Sequence, residues 1–263
     1  MLINSVIFVL REVLEAAMII SVLLALAANL RQSLRWLLIA LPVTAATTAL
    51  FAATLDKMTD AFDGAGQEVI SATLQIIVFL CTVGIVYCSQ RQRYDLTATT
   101  RALPVLMALA CVCALTREAS EILIYITGFA ASEDHRIAVF AGSAVGAGIG
   151  ISLGVLLYAA VRAMPPKRSF SFCYFLLALI SAGMVMQSTM LLEQVDWLPV
   201  GRSLWNSSAL VSEQSLTGQL LYAVFGYEAT PGAIQVWLYL FCIFAVSIAW
   251  VLGQYAGRKH YGS

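Results

Sequence analysis

Leu10-Arg11-Glu12-Val13-Leu14-Glu15-Ala16 lies inside the first apolar run of the chain, and Thr116-Arg117-Glu118-Ala119-Ser120-Glu121-Ile122 lies inside the fourth. At about 100° per residue, the Arg and both Glu of each copy fall within one roughly 100° arc, so each triad shares a helix face. A charged side chain at mid-bilayer costs about 2.5–3.5 kcal/mol, so six of them imply roughly 15–20 kcal/mol before pairing and hydration give relief. Intramembrane charge at that cost marks function, and the rest of the chain reads as its scaffold.

The 263 residues are 60% hydrophobic and 11% charged, with a mean hydropathy of +0.85, which excludes an ordinary soluble domain and points to a multi-span helical membrane protein. The formal net charge of zero provides no general basic surface for nucleic acid. Arg11-Glu12 interrupts the stretch where a signal peptide needs an unbroken apolar core, so the first run is kept as a span. Cys81, Cys88, Cys111, Cys113, Cys173 and Cys242 all fall within predicted spans and form no CxxC pair, so they read as small buried hydrophobes.

A hydrocarbon core of ~30 Å takes about 20 helical residues. Runs of that length occur at about 4–28, 36–55, 69–89, 103–130, 137–161, 170–192 and 233–256, which predicts seven spans in a single membrane domain over 1–263. The connection 193–232 is the long one and predicts a short extracytoplasmic helix, with Ser212 as a candidate cap. Arg31, Arg35, Arg91, Arg93, Arg101, Arg162, Lys167, Arg168, Arg258 and Lys259 gather at one side, against Lys57, Arg136 and Arg202 at the other. The positive-inside rule then puts the N-terminus outside and the C-terminus inside.

That orientation sends the first and fourth spans in opposite directions with one motif each, so spans 1–3 and 4–6 are expected to form an inverted repeat around a midplane site. Gly142, Gly146, Gly150 and Gly154 stripe span 5 and predict a close helix contact; Ala45, Ala46, Ala49 and Ala53 are the expected counterpart on span 2. Met184, Met186 and Met190 on span 6 read as packing, while Gln187 beside them is an amide that needs a partner in hydrocarbon.

With every Glu ionised, Glu12, Glu15, Glu118 and Glu121 against Arg11 and Arg117 leave minus two, which a divalent or trivalent cation can meet. Carboxylate oxygen is a hard ligand suited to Mg, Ca, Mn and ferric iron, and His135 and His260 both lie outside the spans, which argues against copper or zinc. The arginines either hold and offset the carboxylates or lock the helices as a structural ion pair. Acids at the outer ends (Asp56, Asp60, Asp63, Glu68, Glu133, Asp134, Glu193, Asp196, Glu213, Glu228) outnumber bases, whereas the inner connections show only Asp95, so Asp63, Glu68 and Glu193 are candidates for an outer relay.

The doubled Arg-Glu-x-x-Glu, the seven-span plan, and Phe225-Gly226-Tyr227 with Pro231 before the last span resemble the oxidase-dependent iron permeases, the fungal high-affinity type and the bacterial EfeU type. The resemblance implies an iron permease of the plasma membrane, a bacterial inner membrane, with Glu12, Glu15, Glu118 and Glu121 as iron ligands supported by Arg11 and Arg117. It also implies iron as substrate with no cofactor, and a separate extracytoplasmic iron oxidase or iron-binding protein that delivers Fe(III). Two departures stand out: Val13 and Ala119 replace the usual glycine of the motif, and Glu68 alone remains of an acidic pair usual at the start of span 3. The alternatives are a transporter of another hard divalent cation such as manganese, and a glutamate-dependent intramembrane hydrolase, which lacks a histidine or clear nucleophile in the spans.

Overall fold

The structure, a computed structural model, describes residues 1–59, 61–94, 101–130 and 133–261. Asp60 and Asp95 lie outside the described residues, as do the side chains of Asp56, Asp134, Lys259 and His260. Helices follow one another as α1 (Leu2–Asn29), α2 (Arg35–Thr59), α3 (Gly66–Tyr94), α4 (Ala102–Ala130), α5 (Glu133–Ala163), α6 (Pro166–Gln194), α7 (Leu216–Phe225) and α8 (Ala233–Tyr261), with a 3-10 turn at Ala61–Gly64. Among the described residues the extended structure is a single antiparallel bridge, Ser203 to Gly232.

Six of these helices, α2, α3, α4, α5, α6 and α8, are long and apolar enough to cross a membrane. α1, with 28 residues, is the long helix outside this set, and it carries Arg11, Glu12 and Glu15 in its N-terminal half. Peripheral α2, α5 and α8 turn large apolar side chains outward, among them Leu38, Ile39, Ile151, Leu156, Phe241 and Phe244, as a lipid-facing belt requires.

Packing partners reveal a regular arrangement. α1 packs on α5 and α6, while α4 packs on α2 and α3; α1 touches α4, and α3 touches α6. Exchanging the first three helices for the next three maps these pairs onto one another, while α4 also packs on α5 with no α1–α2 counterpart among the described residues. Ser5 Oγ meets Tyr125 Oη at 2.8 Å while Glu15 meets Arg117 at 3.2 Å, so α1 and α4 run antiparallel.

α1 and α5 pack backbone to backbone along the glycine stripe. A Cβ added at Gly142 would meet Leu2 and Ser5, at Gly146 the Val6 carbonyl oxygen at 2.5 Å, at Gly150 the Val13 side chain, and at Gly154 Ala17 and Ser21. Hydrogen side chains alone let the backbones approach this far, and dispersion contacts over the whole length replace the hydrophobic effect that lipid cannot supply. Val13 is accommodated by the missing side chain at Gly150. The alanine counterpart does not pack this way: Ala45, Ala46, Ala49 and Ala53 are exposed, and α2 meets α4 through its other face, with Thr44 and Phe51 buried and Thr47 bonded to Thr116 at 2.6 Å.

The connection 193–232 folds on itself. Tyr227 Oη donates to Val211 O at 3.0 Å, Ala229 N to Glu213 Oε1 at 2.7 Å and Leu204 N to Pro231 O at 2.9 Å. α7 is capped by Ser215, whose hydroxyl accepts from Gly218 N at 3.0 Å, rather than by Ser212, whose carbonyl instead receives the Ser215 N–H. Gly226 ends α7 at φ 66, with its N–H on Tyr222 O and the Tyr227 N–H on Leu221 O, a left-handed stop that glycine takes without strain.

Candidate functional site

Because α1 and α4 are antiparallel and touch, their charged faces meet at one place. Arg117 stands in its middle. Nη1 lies 2.7 Å from Glu118 Oε2, 3.2 Å from Glu15 Oε2 and 3.5 Å from Glu12 Oε2, and Nη2 lies 2.9 Å from Glu121 Oε1. All four candidate glutamates therefore touch a single guanidinium that is only 5% exposed. Glu12, Glu15 and Glu118 are buried, while the Glu121 side chain keeps 22% of its surface.

The two arginines, each opening an Arg-Glu-x-x-Glu motif, are placed differently. Among the described residues Arg11 ion-pairs with Glu12 alone, its Nε donating to Oε1 at 2.8 Å and its Nη2 meeting the same oxygen. Its guanidinium lies over the rings of Phe8 at 5.2 Å and Tyr222 at 5.5 Å, a cation–π setting at the edge of the cluster. Outside it opens a vestibule with mixed polar and apolar walls: one cavity of about 490 Å³ lined by Asn4, Ile7, Phe8, Arg11, Tyr125 and Glu213 among others, and one of about 250 Å³ reaching Arg11, Met190, Tyr222, Glu213 and Glu228. Tyr222, from α7, is thus the contact between the loop cover and the charged cluster.

Three polar atoms of the cluster are buried without a hydrogen-bond partner. Glu12 Oε2 and Glu118 Oε1 are buried and accept no hydrogen bond, and Arg117 Nε is buried with nothing to donate to. Buried polar groups are normally satisfied, so these three leave the cluster with unused hydrogen-bonding capacity.

Gln187, singled out as an amide needing a partner, has two. Its Nε2 lies 3.3 Å from each oxygen of Glu15, and its Oε1 accepts from Gln75 Nε2 at 2.8 Å. The chain Gln75–Gln187–Glu15 ties α3, α6 and α1 together behind the carboxylates. Gln75 is not among the residues expected from sequence, although Gln75, Thr82 and Ser89 recur every seven residues on α3 and are all buried, the heptad mark of a polar stripe facing a protein interior.

Among the described residues no hydrogen bond or ion pair joins the outer relay candidates, although Phe62, next to Asp63, meets Trp197, four residues after Glu193, edge-on at 5.7 Å. Glu193 is held by Gln235 Nε2 at 2.8 Å and belongs electrostatically with Glu213 and Glu228. Asp63 is exposed in the 3-10 turn, and Glu68 begins α3 with Oε2 buried and unbonded. Glu228, which the sequence marks only as one outer acid among several, is pushed up to about 7 by burial, then by Glu213 and Glu193. Met184 and Met186 are packed in the core, and the six cysteines are buried free thiols.

Among the described residues, no group of three or more His, Cys, Asp or Glu side chains is arranged to hold a metal ion. The four carboxylates are drawn onto Arg117 instead, so the arrangement seen here is one organised around a resident organic cation. As donors, carboxylate oxygens suit a hard cation.

The family model described as iron permease FTR1 family matches residues 2–260. No curated protein matches the chain, and no solved structure does.

Proposed function

We infer, on the premise that the chain belongs to the FTR1 iron permease family, that Glu12, Glu15, Glu118 and Glu121 are the ligands through which iron passes. Iron transport across a membrane, by a multi-pass permease with iron as substrate and not by an enzyme, follows from the family and the long apolar helices. The hydrolase alternative falls with it. Our reading adds the route.

In that route, α1 completes a set of seven spans with the N-terminus outside, and α1–α3 with α4–α6 form an inverted repeat about the carboxylates. Iron arrives as Fe(III) from a separate oxidase at the plasma membrane of a bacterial cell, enters the vestibule beside Glu213 and Glu228, and passes Arg11 into the ring. There carboxylate oxygens replace water in its inner shell. Arg11 and Arg117 hold and offset the carboxylates when iron is absent.

The observation that supports this most is the convergence of both motifs, from antiparallel helices, on one buried centre with four carboxylates around a single cation. Glu118→Gln and Glu121→Gln should each abolish radio-iron uptake at normal membrane abundance. Normal uptake by either variant removes that side chain from the ligand set. Competition by manganese at equal concentration, if it suppressed iron uptake fully, would favour the broader hard-cation reading.

A further inference from the structure

We propose that Arg117 is a tethered counter-cation that iron displaces on entering the carboxylate ring and that drives iron out again by returning. The proposal rests on the assignment of the four glutamates as ligands, and it concerns what makes the site release its cargo.

One guanidinium touches Glu12, Glu15, Glu118 and Glu121 at 2.7–3.5 Å. An ion coordinated by those oxygens would need the same space, so ion and guanidinium exclude each other. Each state still leaves a positive charge at the centre. The exchange therefore spares the ring the large penalty of buried, unpaired carboxylates, which an empty ring without the arginine would incur.

How Arg117 is held points the same way. A structural arginine locked in a protein interior spends its N–H groups on fixed partners. Here Nε is buried with no acceptor, and Nη1 and Nη2 bond the carboxylates. The side chain is thus fastened through the very groups an incoming ion would take. Arg11 differs: its Nε is bonded to Glu12, and two aromatic rings lie against its guanidinium.

A transport site must bind well enough to admit the ion and weakly enough to let it go. A built-in competitor meets both demands: it lowers apparent affinity and speeds departure in one stroke. Removing it should leave a tight, slow site, whereas removing a structural brace leaves a loose one.

The test uses Arg117→Gln, Arg117→Lys and Arg11→Gln in the full chain. Binding is measured on purified protein in detergent with ferric iron buffered by nitrilotriacetate, and uptake on the same proteins in liposomes. Each charge-assisted bond to a carboxylate is strong, so losing those to the competitor should tighten iron binding about tenfold or more in Arg117→Gln, with KM falling and kcat falling by a similar factor. Arg117→Lys, charged but unable to span four carboxylates, should lie between it and wild type in both quantities. Arg11→Gln should not tighten binding.

Binding by Arg117→Gln equal to or weaker than wild type overturns the proposal. If that variant fails to accumulate, Arg117→Lys decides, and an affinity at or below wild type is the overturning result. Glu118→Gln separates the layers: if it binds iron as wild type does, the ligand assignment itself fails. If it loses binding while Arg117→Gln gains none, only the exchange fails.

Discussion

Placing an alanine at Gly226 tests why the Phe225-Gly226-Tyr227 turn carries a glycine at its centre. Two costs arise there and can be separated. Gly226 has φ 66, a conformation that costs an L-residue about 1–2 kcal/mol. Its Cβ would also lie 2.6 Å from Gly183 Cα and 3.1 Å from Gly183 O on α6, contacts between backbones that no side-chain rotation relieves. Such overpacking costs about 1–3 kcal/mol, for a total of about 2–5 kcal/mol. Gly183→Ala carries the second cost alone, because Gly183 is an ordinary helical residue whose Cβ would meet Gly226 N at 2.9 Å and Phe225 C at 3.0 Å. Gly226→Asn recovers part of the first cost and none of the second.

The penalty falls on the docking of α7 against α6, not on the bundle. Hydrogen exchange in detergent should show the amides of α7 losing about tenfold or more of their protection in Gly183→Ala, and more again in Gly226→Ala, at 1.4 kcal/mol per tenfold. Because Tyr222 rides on α7 over Arg11, iron uptake should fall in the same order. Gly226→Asn equal to wild type would refute the Gly183 contact as a source of the cost. Full α7 protection with normal uptake in Gly226→Ala would refute both terms.

Gly146→Ala should destabilise the protein by about 1–3 kcal/mol because its Cβ meets the Val6 carbonyl, while Gly148→Ala, with open space around it, should be neutral or stabilising; thermal unfolding in detergent compares them. Gln187→Leu should weaken iron uptake several-fold and cost about 1–3 kcal/mol by stripping Glu15 and Gln75 of their partner, and the Gln75→Leu/Gln187→Leu pair should cost less than the two singles added. Strict additivity would break that link. Glu228 is raised to about 7, so its burial is best tolerated below its unfolded value, near 4.3, and that contribution declines as pH rises and is lost through about 7. Protection of the 226–232 backbone should therefore fall between about pH 5 and 8 in wild type and stay flat in Glu228→Gln, with an unchanged slope in the variant arguing against Glu228 as the group responsible.

Much of the site is legible along the chain. Six charges in apolar runs are expensive wherever the fold places them, and helical spacing puts each triad on one face, so both the identity of the important residues and their shared direction are local properties. Gly142, Gly146, Gly150 and Gly154 likewise announce a close helix contact by spacing alone. That their partner is α1 is not legible, because a flat stripe accepts any backbone. Nor can the cap be placed at Ser215 rather than Ser212, since both serines precede the same apolar pattern.

The two Arg-Glu-x-x-Glu copies show where local information ends. Their residues, spacing and helical faces are alike, so nothing in either motif distinguishes Arg11 from Arg117. Tertiary packing does: α7, which belongs to the connection after α6, brings Tyr222 to Arg11, and Arg117 is left facing the glutamates of both helices. Charge and periodicity act within a helix turn and can be read along the chain. Which guanidinium sits among four carboxylates depends on segments more than a hundred residues apart, and only their packing decides it.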